Sequence, residues 1–217
     1  MYPLANSLVR SDTDLAVVSE IIGFMTGNEH TFLNISMPAA LSSLQAAHGA
    51  EGSTLVTRVV ANGTELGAQL SGTGDQWFTA PSVKPEGGNF LAGYDEGDAA
   101  PALGDSFVTE ATGLGGFALA AAPAISDYLG VSAADCRGAT EEMYAITLAE
   151  HDEYTIPAFD DRGTPVGIDA KRVAESGARP VFNGGIAHRE RGVGQVGAGL
   201  GRLPVEPFEL AAEAIES

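Results

Sequence analysis

The chain has 217 residues, with 29 acidic against 11 basic side chains, a formal net charge of −18, 44% hydrophobic residues and one cysteine. That balance excludes a general nucleic-acid binder and a protein that settles on anionic membranes, because both surfaces would repel it. A lone Cys136 excludes an internal disulfide and fits a reducing cytoplasm. The apolar content is ample for one large domain or two small ones, yet no run is long enough to cross a bilayer as a helix. The opening MYPLANSLVRSDTD lacks the basic-then-apolar order of a signal peptide. The acids are scattered through patterned sequence and read as a solvated surface, a composition that suits high salt.

Residues 12–25 place Leu15, Val18, Ile21, Ile22 and Met25 at helical spacing. A second helix is expected to run to about Ala47 and end near Gly49. His30 and Asn34 lie four apart and read as a polar cap on this helix pair. At Ser53 the period changes: STLVTRVV and TELGAQLSG flank Ala61-Asn62-Gly63, a β-hairpin signal because Asn-Gly supplies positive φ. Trp77 and Phe78 are expected in the core. Residues 81–101 form a long irregular loop, whose Asp95, Glu96 and Asp98 read as solvated acids and not as the oxygen cage of a calcium site. Residues 106–110 alternate like a strand, and an Ala-rich helix is expected after Gly116, kinked or broken at Pro123.

The junction between them, Glu110 to Gly116, would put glycines and Thr112 at a helix N-terminus, where free amides favour an anion. It lacks the lysine of a P-loop, and Asp105 and Glu110 would oppose that anion. Residues 132–150 read as an amphipathic helix capped by Ser132, with Cys136 as a packing residue. Residues 154–159 read as a strand and 206–216 as a closing helix. No metal-binding Cys/His pattern appears, and no residue names a cofactor.

The stretch 164–199 is the richest. It reads as a strand, a short helix capped by Asp169 and left through Gly177, a buried strand over residues 179–183, and then a glycine-rich loop. That loop carries Asn183, Gly184, Gly185, His188, Arg189, Arg191 and Gln195, polar groups beside exposed amides at a strand end. The fold class expected is α+β, an N-terminal helical segment (1–50, part of a helical subdomain) followed by a mixed α/β domain with Gly-rich loops (51–217).

Seven ordered motifs, GNEHTFLNISM, GSTLVTRVVANG, DQWFTAP, GDSFVTEATGLGGFALAAAPAI, EEMYAITL, RGTPVGID and NGGIAHRERGVGQVGAG, resemble the carboxyl-terminal half of the YlbE/YahG-like family. The resemblance implies a link to oxamate carbamoyltransferase, a multi-subunit enzyme of allantoin breakdown that exchanges a carbamoyl group between oxalurate and phosphate, giving oxamate and carbamoyl phosphate. It implies that family members are about twice this length, so the missing amino-terminal half and other enzyme subunits are partners and the chain alone is inactive. Where the family reads NTGIAHK, this chain has Gly184 and Arg189, losing a hydroxyl and turning a point charge into a planar fork.

Carbamoyl transfer needs anions held, a carbonyl polarised and a nitrogen deprotonated. Arg189 and Arg162 are the candidates to grip a small anionic substrate, phosphate or carboxylate. The amides of Gly184, Gly185, Gly115 and Gly116, with Thr112, would complete a cradle, and Asn183 would orient the amide. His188 and Glu110 are the candidate catalytic pair. Each has a plain alternative: His188 ties its loop, Arg189 forms a surface pair, Arg162 bridges Asp160 and Asp161, and Glu110 and Thr112 cap. The non-catalytic readings of the whole are an assembly subunit, or a binding module for small anions, in an oligomer.

Overall fold

The computed structural model describes residues 7, 10, 14–28, 31–104 and 106–216. His30, Asp105 and the expected helix start at Asp12 lie outside the described residues. The chain divides into two compact units, Met1–Ala39 and Ala40–Ser217, where the sequence placed a boundary at 50.

In the first unit, helix α1 (Leu15–Gly27) starts where Asp14 accepts the Ala16 N–H at 2.8 Å, an N-cap that satisfies one orphan amide of the first turn. Val18 is buried and Ile21, Ile22 and Met25 are half-buried, so the expected stripe forms, but Leu15 and Phe24 are exposed. Helix α2 (Leu33–Ala46) follows.

Among the described residues the second unit holds three antiparallel sheets. β1 (Val56–Asn62) and β2 (Glu65–Leu70) form the hairpin that Asn62-Gly63 announces: Gly63 has φ +84°. The Asn62 side chain accepts the N–H groups of Thr64 and Glu65, an Asx turn closing the loop. With β3 (Phe78–Pro81) and β5 (Leu103–Gly104) they make a four-stranded sheet of order β3-β2-β1-β5. β4 (Asn89–Phe90), β9 (Gln195–Arg202) and β8 (Val181–Ala187) make a second sheet, ordered β4-β9-β8. β6 (Thr147–Ile156) and β7 (Arg162–Ile168) form a separate hairpin. The mixture of helices and antiparallel sheets is the expected α+β fold.

Helix α5 (Ala133–Met143) opens with a capping box between Ser132 and Asp135 and buries Cys136. Helix α6 (Ala170–Ser176) is capped by Asp169 and exits through Gly177 at φ +66°. Helix α7 (Glu206–Glu216) covers β2 and β3 and buries Phe208 and Ala211.

Four local expectations are corrected. Residues 106–110 are no strand: a turn leads into a single helical turn, α3 (Val108–Ala111), because this stretch wraps against β1 and β7 and pairs with neither. The Ala-rich run is a 3-10 segment, Gly115–Ala121, with a kink at Ala118, and the α-helix resumes only at α4 (Ile125–Leu129) after Pro123. Helix α5 ends at Met143, and Thr147 to Glu150 already belong to β6, where ladder pairing overrides a helical pattern. Of the Trp77-Phe78 pair only Phe78 is in the core. Trp77 is 43% exposed because neighbours in extended chain face opposite sides, and its ring covers Gly67.

Candidate functional site

The two glycine-bearing segments singled out in the sequence do meet. The 3-10 segment packs against β8 so closely that a Cβ on Gly116 would come within 2.6 Å of the Val181 carbonyl and 2.8 Å of Phe182 Cα. What lies between them is a carboxylate of the chain itself. Glu110 Oε1 accepts the Gly116 N–H at 2.9 Å and, more weakly, the Asn183 N–H at 3.4 Å. Gly115 is glycine because Glu110 occupies the place its Cβ would take. Of the amides expected to cradle a substrate anion, that of Gly116 therefore already holds Glu110.

Glu110 is 1% exposed, and burial pushes its pKa up to about 7, against the lowering effect of the hydrogen bonds from Gly116, Asn183 and Thr109. The local geometry agrees. Thr109 Oγ1 lies 2.8 Å from the Ser106 carbonyl and 3.0 Å from Glu110 Oε2, and one hydroxyl proton cannot serve two acceptors. In the protonated form Glu110 Oε2–H donates to Thr109, whose own proton goes to Ser106; in the ionised form the Thr109 hydroxyl turns to donate to Oε2. Thr112 is not in this network; its hydroxyl donates to the Thr109 carbonyl at 2.9 Å as a local cap.

The expected glycine loop is strand. Asn183, Gly184 and Gly185 pair with Leu200, Gly199 and Ala198 in the β8–β9 ladder, because facing glycines let the backbones pair without side-chain demands. Gly185 is small because the Gln195 carboxamide lies against it, within 3.0 Å of where a Cβ would stand. The true loop is the turn at residues 188–194, which begins with His188 donating its N–H to the Gly194 carbonyl. His188 Nδ1 accepts the Glu190 N–H at 2.9 Å, which leaves the proton on Nε2, 3.7 Å from Asp98 Oδ1. Tyr94 meets its ring edge-on at 5.6 Å.

Arg189 is anchored through its N–H to the Asp98 carbonyl, while its side chain is exposed. Five residues of extended chain separate His188 from Asn183, roughly 16 Å, so the structure does not bring His188 and Glu110 to one reacting atom. Arg162 lies elsewhere, on the β6–β7 hairpin. Its guanidinium donates to Glu150 Oε1 at 2.6 and 2.9 Å, holding that carboxyl below its usual range, and stacks on the Tyr144 ring at 3.5 Å. The bridge to Asp160 and Asp161 does not form; both turn residues have positive φ. Arg162→Ala is expected to cost about 0.5–1 kcal/mol in urea unfolding, as for an exposed ion pair.

Among the described residues, Arg137, Arg162, Lys171, Arg172, Arg179 and Arg202 each have a carboxylate within 4 Å. None is seen for Arg189 or Arg191, two exposed arginines on one turn of a strongly acidic chain. No three His, Cys, Asp or Glu side chains gather into a metal site among those residues, and no described helix is long and apolar enough to cross a membrane. Sequence reasoning missed the half-buried Ser106 and the buried Thr109, in a run read as strand, and Thr164, whose buried Oγ1 has no partner and lies against Gly113.

A family model described as oxamate carbamoyltransferase subunit AllG matches residues 1–106. The chain belongs to the AllG/YahG family. It is 38% identical to oxamate carbamoyltransferase subunit AllG of Escherichia coli, over 99% of this chain and 51% of that protein. It is also 38% identical to the uncharacterized protein YahG of the same organism, over 96% of this chain and 44% of that protein. A crystal structure of a conserved protein of unknown function from Enterococcus faecalis superposes with a TM-score of 0.94 at 39% identity, covering 99% of this chain and 51% of that one. The chain thus spans about half the length of the curated relatives it matches.

Proposed function

We propose that this chain is one half of a carbamoyltransferase component, inactive until joined by the amino-terminal half of the relatives' length and by further subunits in a cytoplasmic oligomer. The complete assembly moves a carbamoyl group between oxalurate and phosphate, leaving oxamate and carbamoyl phosphate, a step of allantoin breakdown. The observation that carries this reading is the 38% identity to an oxamate carbamoyltransferase subunit across nearly the whole chain.

The roles follow from what each group can reach. Arg189 and Arg191 grip phosphate or carboxylate, since guanidinium matches both bidentately and neither side chain has a carboxylate partner here. His188 positions their turn by accepting the Glu190 N–H on its ring and donating its own N–H to the Gly194 carbonyl. Glu110 positions β8 against the 3-10 segment, with Gly115 and Gly116 shaping that clasp, and Asn183, Gly184 and Gly185 border the substrate, while Thr112 stays a local cap. Arg162 is left out, because Glu150 and Tyr144 already engage it.

A second reading, an assembly subunit without turnover, is favoured by helix α1, which leaves Leu15 and Phe24 more than half exposed. Reconstitution with the complementary half and partner subunits separates the two. If the first holds, Arg189→Ala with Arg191→Ala raises the KM for phosphate roughly 10- to 100-fold, the loss expected for hydrogen bonds to a charged ligand. Unchanged kinetics in that complex would leave the assembly role.

A further inference from the structure

β8 is the edge strand of its sheet, and one part of its outer edge is bare. In an antiparallel strand the backbone groups of alternate residues face alternate sides. The Asn183 N–H points away from β9 to Glu110, and the Ala187 carbonyl points the same way, accepting the Ala100 N–H at 2.8 Å. Alternation therefore turns the Gly185 N–H and C=O, and the Asn183 C=O, to that side too. No backbone group among the described residues bonds them there, and Gly185 is exposed.

A cleft of about 60 Å³ opens on this interval, walled by Ala100, Ala102, Phe107 and Ile186, with Ser106 and Gly184 on its lining. No atom lies within 4 Å of where a Gly184 Cβ would stand, and the Ser106 hydroxyl has no hydrogen-bond partner among the described residues. The space suits a planar group of about three to five non-hydrogen atoms.

We infer that this cleft binds the primary-amide end of a small molecule, the –CO–NH2 of a carbamoyl or oxamate group. The amide oxygen accepts the Gly185 N–H, and the amide nitrogen donates to the Gly185 or Asn183 carbonyl, as a neighbouring strand would; Ser106 supplies a further donor or acceptor. The same edge rejects a carboxylate, which has no proton to offer two carbonyls. An extended peptide is rejected as well, because Ala100 closes one end of the interval and Glu110 the other, leaving too little edge for a strand to add. For the natural ligand this rests on the carbamoyltransferase reading; the amide selectivity stands on the edge alone.

The test is a titration of the 15N-labelled chain with oxamate and acetamide, with acetate as the carboxylate control. Saturable shifts at Gly185 and Ser106 are expected with both amides and not with acetate. Gly184→Val, a β-branched residue that a strand accepts and that fills the cleft, is expected to weaken binding tenfold or more. Ser106→Ala is expected to weaken it roughly three- to tenfold, keeping the test alive should the valine variant fail to fold. Equal shifts with acetate, shifts centred elsewhere, or titrations unaltered in both variants overturn the proposal. Turnover in the reconstituted complex without amide binding here removes the site and keeps the enzyme reading; amide binding here without any turnover does the reverse.

Discussion

Glu110→Gln is expected to gain stability over the wild-type chain as pH rises, so that the two melting curves diverge between about pH 5 and pH 8. The carboxyl ionises near 4.5 in the unfolded chain and near 7 when buried. Folding therefore takes up a proton between those values, and the stability that the protonated form contributes is present in full below 4.5 and lost as pH rises through 7. The shift corresponds to about 3 kcal/mol, of which about 2–3 kcal/mol falls between pH 5 and pH 8. In a chain this size that is roughly 5–10 °C of melting temperature.

Glutamine keeps the acceptor for Gly116 and Asn183, presents an N–H to Thr109 where the protonated acid presents an O–H, and cannot ionise. Glu110→Ala instead strands the buried Gly116 amide and leaves a cavity, costing about 2–5 kcal/mol at every pH. Melting curves of wild type and Glu110→Gln that stay parallel across this range would show that the buried acid is not the titrating group.

How much of this was legible in the sequence depends on the range of the interaction. The hairpin at Asn62-Gly63, the Asp169 cap and Gly177 exit of α6, and the Ser132 cap of α5 are decided within four or five residues, and each appears where its residues announce it. The convergence of residues 110–116 with 183–185 was also readable, as two glycine-rich hinges with polar neighbours. Its content was not. That Glu110 fills the cradle depends on β8 passing within bonding distance of Gly116, a contact across some seventy positions that no local pattern encodes. The loop expected at Gly184 and Gly185 is strand for a similar reason: glycine weakens a strand in isolation, and only the pairing with β9 overrides that preference. His188 and Arg162 look like site residues by type, and their partners, Glu190 with Asp98 and Glu150 with Tyr144, are set by turn and hairpin geometry.

Gly116→Ala should be among the most damaging single-methyl additions to this chain, whereas Gly138→Ala should stabilise it. At position 116 the new carbon would stand 2.6 Å from the Val181 carbonyl and 2.8 Å from Phe182 Cα, strand backbone that β9 holds from the other side. The 3-10 segment must back away, an overpacking cost of about 1–3 kcal/mol. Backing away also draws the Gly116 N–H from Glu110, exposing a buried carboxyl to the loss of its best hydrogen bond. Gly138 lies inside α5 with nothing within 4 Å of the same carbon, so there alanine returns the helix propensity that glycine forgoes, about 0.5–1 kcal/mol. Urea titrations of both variants decide the matter. If Gly116→Ala matched the wild type, the 3-10 segment would have to be free to move off β8, and the clasp around Glu110 could not be what orders the open edge of that strand.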